Sequence, residues 1–208
     1  MTPTLFHFGA MSPYSWFAAE RIGLLIPDAQ WRPVFTGGLF RATGRSTWGL
    51  SDRREAGIAD CEARARLHGL GPMVWPDGWP SSDVLVARAL VVADRHGLLE
   101  PFALAAMRAQ FRDGEGLDDP DVLKRAASEV GLDAADLIEA ASRPATKDSL
   151  RSRNDEAVAL GVFGVPTVVV GDQLFWGDDR LMQAAEAVRA VRSDRARGGR
   201  SGRVRRNP

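Results

Sequence analysis

Thr4-Leu5-Phe6-His7-Phe8-Gly9-Ala10-Met11-Ser12-Pro13-Tyr14-Ser15 is the stretch whose reading decides the fold. Thr4 to Phe8 is a short apolar run with two phenylalanines, closed by Gly9 and Ser12-Pro13, and reads as a buried strand. Pro13 suits the first turn of a helix, with Ser12 as its N-cap. Trp16, Phe17, Ala18, Ala19, Ile22 and Leu25 give that helix an apolar side, while Glu20 and Arg21 can face water. Gln30 to Phe35 reads as a second strand, so the chain opens strand, helix, strand.

At the far end, Thr167 to Val170 is β-branched throughout. Gly171-Asp172 makes a turn, Gln173 to Trp176 returns, and Asp178-Asp179 start a helix to about Val191. Between the two ends, from about Ser51 to Gly161, helical signals follow one another. The runs are Ser51 to Gly69, Ser82-Asp83 to His96-Gly97, and Pro101 to Asp113-Gly114. Then come Asp119-Pro120 to Gly131, Asp133 to just before Pro144, and Thr146 to Gly161. A parallel pair from the first part and a hairpin from the last can form one sheet. The expected class is α/β, a thioredoxin-like fold with a large all-helical insertion. Residues 1–40 and 162–193 form the thioredoxin-like part and 41–161 the insertion. Residues 194–208, Arg/Gly-rich with almost no apolar side chain, are expected to be a disordered tail.

Composition narrows the function. The 208 residues are 45% hydrophobic and 26% charged, enough to fill a core without staples. Basic and acidic residues balance at 27 each, but six arginines lie in 195–208, so the body is mildly acidic. A nucleic-acid-binding face is not supported. One cysteine, Cys61, excludes a disulfide framework, a CxxC pair and a cysteine zinc site. No two histidines have ligand spacing, so no metal site is expected. Neither a membrane-spanning run nor a secretory signal is seen, which points to a cytoplasmic protein.

Three segments can carry chemistry. The first is SPYS, Ser12 to Ser15, at the strand-to-helix junction. In thioredoxin-like redox proteins this place holds CPYC or a relative, and the helix N-terminus favours a thiolate. Without sulfur here, thiol-disulfide exchange is not expected, but the junction can bind an external thiolate. A charge-assisted hydrogen bond from the Ser12 hydroxyl is worth about 1.5–3 kcal/mol, and the helix dipole adds about 0.3–2 kcal/mol. At about 1.4 kcal/mol per pH unit, the pair lowers a bound thiol's pKa by roughly one to three. The second segment is GVFGVPT, Gly161 to Thr167. A cis bond before Pro166 would leave the N–H and C=O of Val165 open to an extended peptide. The third is FWGDDRL, where Asp178 and Asp179 can meet a ligand ammonium and Arg180 a carboxylate. Each has a plainer structural reading: Ser12 as a cap only, Val165-Pro166 as the start of an edge strand, and the two acids as good helix-start residues. His7 reads as a core residue. Trp48, Trp75, Trp79 and Trp176 are core packing or cleft walls, and Tyr14 and Trp176 are candidates to contact an aromatic substrate.

FHFGAMSPYSWFAAERI, GVFGVPT and WGDDRL, in this order and spacing, resemble the 2-hydroxychromene-2-carboxylate isomerases, DsbA-like proteins related to kappa-class glutathione transferases. The resemblance covers about residues 4–192. It implies a homodimer with glutathione, or another low-molecular-weight thiol, as cofactor and a small aromatic molecule as substrate. It assigns Ser12 to the thiol sulfur, Val165 and Pro166 to the cysteinyl unit, and Asp178 and Asp179 to the γ-glutamyl end. Arg53 or Arg54 stands near a family lysine, so both are candidate cofactor contacts. The implied chemistry is reversible: thiolate adds to the chromene, the ring opens, a bond rotates and thiolate leaves. The chain departs from the pattern where Gly9 replaces an acid and where Ala56-Gly57-Ile58 lacks a tyrosine. A kappa-class-like transferase, or a non-catalytic thioredoxin-fold module binding peptides or partners at the Val165–Pro166 edge, are the alternatives.

Overall fold

The computed structural model describes the backbone of residues 3–201 and the side chains of residues 3–193. Strand β1 (Leu5–Phe8) leads into helix α1 (Pro13–Leu25) and strand β2 (Gln30–Pro33). Helices α2 (Thr36–Thr43), α3 (Arg54–Leu67), α4 (Val84–Arg95) and α5 (Leu99–Phe111) follow. Then come α6 (Pro120–Glu129), α7 (Ala134–Ser142) and α8 (Pro144–Ala159). Strands β3 (Thr167–Val170) and β4 (Gln173–Trp176) precede a 3-10 turn, Asp178–Arg180, and helix α9 (Leu181–Ser201).

The sheet has the order β2-β1-β3-β4. β1 runs parallel to β2 and antiparallel to β3, and β3 and β4 form the hairpin. This is the thioredoxin-like sheet that the strand pattern predicts. Alternation along β1 puts Phe6 and Phe8 on one face, fully buried. Both meet the Trp31 ring of β2 edge-on, at 5.0 and 5.2 Å. The same apolar core continues into the insertion through Phe102, Met107, Phe111 and Leu123. Trp16 of α1 stacks on Phe111 of α5 at 5.7 Å. Glu20 accepts two bonds from the Arg108 guanidinium, at 2.7 and 2.6 Å, and one from Trp16 Nε1 at 2.9 Å. Burial opposes the Glu20 charge, yet the bonds from Arg108 and Trp16 hold its carboxyl below the usual range. The insertion therefore shares the interior of the sheet and holds α1 in place.

Several local expectations shift. Helix α2 has no N-terminal signal in its own sequence, since Phe35 stands at its cap position. Its first N–H, on Thr36, donates instead to Asp83 Oδ2 at 2.9 Å. Asn154 brackets the same turn, accepting from Phe35 N at 2.9 Å and donating to Phe35 O at 2.8 Å. Asp83 is thus the cap residue of α4 by position but caps α2 by its side chain. The final helix starts through a 3-10 turn and runs past Val191, so residues 194–201 are helical in backbone rather than a disordered tail. Arg and Ala are good helix formers, and extending an existing helix needs no new nucleus. The rest of that expected tail, 202–208, lies outside the described residues. Among the described residues no helix is long and apolar enough to cross a membrane.

Candidate active site

Ser12 has extended backbone and caps α1, its Oγ accepting from Ser15 N–H at 3.3 Å. Pro13, next in the chain, brings no N–H of its own to that first turn. Gly9 and Ser12 close the loop on themselves, Ser12 N donating to Gly9 O at 3.0 Å. The buried Ser15 Oγ accepts from Gly9 N at 3.4 Å. Because Ser12 Oγ already accepts from the helix, its own proton is left to donate outward; among the described residues it has no acceptor. The capping role and a thiolate-binding role are therefore compatible. The one sulfur nucleophile, Cys61, is fully buried in α3, and burial pushes its thiol up to about 12. It supplies no thiolate to the junction.

The Val165–Pro166 bond is cis. The register that pairs His7 with Thr167 places this loop beside the end of β1. A Cβ built on Gly9 would stand 3.6 Å from the Val165 side chain. Among the described residues neither the N–H nor the C=O of Val165 is hydrogen-bonded, whereas Pro166 O accepts from Gly177 N at 2.9 Å. Buried backbone groups are ordinarily paired, and both of these are left unpaired among the described residues. Trp176 is 42% exposed. It lies over Gly164, where a Cβ would come within 2.6 Å of its Nε1. Phe163 meets its ring at 5.0 Å, and the Arg45 guanidinium stands over both rings at 4.9 and 5.0 Å.

The two acids part company. Asp178 is buried, 1% exposed. Its Oδ1 accepts from Arg64 Nη1 at 2.8 Å, and its Oδ2 lies 3.3 Å from His68 Nε2 and 3.9 Å from Arg21 Nη1. Its carboxylate is engaged inside the protein, in a cluster drawn from α1, α3 and the 3-10 turn. Asp179 is exposed and has no salt-bridge or hydrogen-bond partner for its side chain among the described residues. Gly177 before them has φ 110°, and a Cβ there would overlap Asp179 Oδ1, so glycine is needed. Arg180 is exposed and its Nε donates to Gln183 at 2.7 Å. The two arginines of the third candidate pair also differ: Arg54 Nη2 donates to Trp79 O at 3.1 Å, while Arg53 is exposed with no side-chain partner among the described residues. Tyr14 does not point freely outward, because its hydroxyl donates to Asp60 Oδ2 at 3.1 Å. Burial and the neighbouring Cys61 and Asp60 raise its pKa, so it stays a neutral donor.

Sequence reasoning missed Arg21, Arg64 and His68 as a cluster. Their partner Asp178 is 110 and 114 residues from the last two, and no local pattern signals such a meeting. Nor does any local pattern signal that three of the tryptophans meet. Trp48, Trp75 and Trp79 form one aromatic group, with centroids 4.6 to 6.4 Å apart. That group touches the junction on both sides of Ser12: Trp79 Nε1 donates to Met11 O at 3.3 Å, and Trp48 meets Tyr14 at 6.3 Å. A cavity of about 310 Å³ between α5 and α6, lined by Arg108, Arg112, Arg125 and Glu129, is remote from this chemistry, and three of its arginines are paired with acids.

A strand-to-helix junction without cysteine, set beside a cis-proline loop, defines a thioredoxin-fold protein that has no redox pair of its own. The chain belongs to the DSBA-like thioredoxin domain family, whose model matches residues 5–189. The 2-hydroxychromene-2-carboxylate isomerase of Sphingobium xenophagum is 32% identical over 194 residues, spanning 87% of this chain and 95% of that protein. A solved 2-hydroxychromene-2-carboxylate isomerase superposes with a TM-score of 0.81 at 22% identity, over 94% of this chain and 98% of the other. The cytosolic disulfide reductase DsbM of Pseudomonas aeruginosa, solved with GSH, has a TM-score of 0.63 at 15% identity, over 94% of this chain and 99% of its own.

Proposed function

We propose that this protein is a glutathione-dependent isomerase of the 2-hydroxychromene-2-carboxylate type, acting on an aromatic or unsaturated acid. The isomerase of Sphingobium xenophagum supports the reaction class, and DsbM with GSH supports the choice of thiol. The observation that carries the reading is the pairing of a Ser12 hydroxyl free to donate with the open backbone of Val165. Bound glutathione would supply the thiolate that adds reversibly to the substrate. Ser12 donates to the sulfur, and the N-terminal end of α1 favours its negative charge. Val165 N–H and C=O hold the cysteinyl backbone as one more extended strand. Asp179 takes the γ-glutamyl ammonium, with Asp178 behind it fixing Arg64. Arg53, without a side-chain partner among the described residues, offers a cation for a carboxylate, and Arg54 orders the α3 start through Trp79. The protein's tasks are to keep a thiolate charged and to place it. The same reading takes the working form to be a cytoplasmic homodimer, which light scattering on the purified chain tests for its oligomeric part.

Ser12→Ala is the direct test. Calorimetry with glutathione and thiolate absorbance against pH should show weaker binding by about tenfold and a thiol titrating at higher pH, since loss of a charge-assisted bond costs about 1.5–3 kcal/mol. Unchanged affinity together with an unchanged titration would remove Ser12 from the chemistry.

A further inference from the structure

The proposed thiol site leaves the substrate ring without a seat. We propose that Trp48, lying flush on Gly57, forms the face that receives the planar ring of an aromatic acid; this rests on the proposed function and deepens it. Trp48 opens a 3-10 turn, Trp48–Leu50, between α2 and α3. A Cβ on Gly57 would come within 2.7 Å of three indole carbons, so this ring lies directly on the α3 backbone. The turn is keyed from the other side too. A Cβ on Gly49 would stand 2.9 Å from Pro80 and 3.0 Å from Trp79. Thr47 Oγ1 accepts from Gly49 N at 3.2 Å, and Trp48 O accepts from both Ser51 N and Ser51 Oγ at 3.0 Å.

The indole is thereby fixed before any ligand arrives, which lowers the cost of binding a flat ring. It is not a core tryptophan of the usual kind. Trp16 and Trp79 are 1% and 4% exposed, whereas Trp48 keeps part of its surface open. Its place relative to the chemistry follows from the chain itself. Met11 is held by Trp79 and Tyr14 packs on Trp48, so Ser12 lies between two residues anchored to this aromatic group. Two further features belong to the same surface, one apolar and one cationic. Leu50, in the same turn, is 76% exposed and extends the apolar edge. Arg53, five residues on from Trp48, is exposed with no side-chain partner among the described residues and so offers a cation to an acid.

The experiment is steady-state kinetics on 2-hydroxychromene-2-carboxylate with glutathione present, alongside glutathione calorimetry. Trp48→Ala should raise KM about tenfold or more, with kcat within about threefold and glutathione affinity unchanged, as expected when a stacking face is lost. Trp48→Phe should recover most of the loss. Gly57→Ala, which forces the indole off its seat, should give an intermediate KM. A KM within twofold of wild type for Trp48→Ala overturns the proposal. So does a parallel loss of glutathione affinity, or a Phe variant as poor as the Ala variant. Should wild type bind glutathione but not the aromatic acid, this proposal fails while the thiol reading stands; should it bind neither, both fail. Circular dichroism on each variant keeps loss of fold apart from loss of the ring site.

Discussion

Two tryptophans lie against two glycines, one on the sheet side of the junction and one on the helical side, and the flanks are built differently. On the sheet flank, Trp176 covers Gly164, with Phe163 edge-on to its ring and the Arg45 guanidinium over it. On the helical flank, Trp48 covers Gly57 and is wedged by Trp75 and Trp79. The first tryptophan is 42% exposed and backed by one loop; the second is gripped from several directions. On the proposed reading, the sheet flank is the edge that yields as a thiol enters, and the helical flank is the pre-set face for a flat ring.

The two flanks are stitched together by Asp178, which leaves the sheet side to meet Arg64 of α3, His68 at the C-terminal cap of that helix and Arg21 of α1. Removing its charge should have the largest effect on stability. Asp178→Asn leaves Arg64 and Arg21 facing a neutral amide, and breaking a buried pair in this way costs about 3–5 kcal/mol. Urea denaturation should read a loss at the lower end of that range, because the arginines keep some contact with water. A loss below about 1 kcal/mol would mean that the flanks are held together by apolar packing alone.

Acid should separate the flanks next. His7 of β1 is 3% exposed, and neither ring nitrogen has a partner among the described residues. Burial, with the nearby Arg32 charge, lowers its pKa from 6.5 to about 4. The unfolded chain takes up a proton near 6.5 while the folded chain resists until about 4. Its contribution is therefore complete above the unfolded value and is lost as pH falls from 6.5 to about 4, about 3 kcal/mol in all. Stability curves for wild type and His7→Leu should converge in slope above pH 7 and diverge below it. Parallel curves through that window would show that the imidazole finds a partner.

The strands, the junction and the helical runs of the insertion are legible in the sequence, whereas the contacts that join the two flanks are not, for a physical reason. Ser12-Pro13, the β-branched run Thr167 to Val170 and the Gly171 turn are local signals, because caps, strand patterns and turns are set by neighbours in the chain. Val165-Pro166 is read in the same way. The roles of Asp178 and Arg54 are set instead by contacts 114 and 25 residues away. Helix α2 was invisible because its cap, Asp83, stands 47 residues on. Trp48 and Gly57 carried a visible oddity, a glycine inside a helix that costs about 1 kcal/mol against alanine, and such a glycine marks a close approach. Sequence alone does not say what approaches.

That glycine allows the flanks to be compared by one methyl group each. Gly164→Ala drives a Cβ into Trp176 Nε1. The indole is half in solvent and can swing outward, so the expected cost is below about 1 kcal/mol. Gly57→Ala drives the same methyl into a ring backed by Trp75 and Trp79. Overpacking of that kind costs about 1–3 kcal/mol, offset by about 1 kcal/mol of helix propensity. The Gly57 variant should therefore unfold at lower urea, and the Gly164 variant should instead alter glutathione affinity, since Gly164 precedes the open backbone of Val165. If the Gly164 variant proves the less stable of the two, Trp176 is the rigid wall and Trp48 the yielding one, and the division of labour between the flanks is reversed.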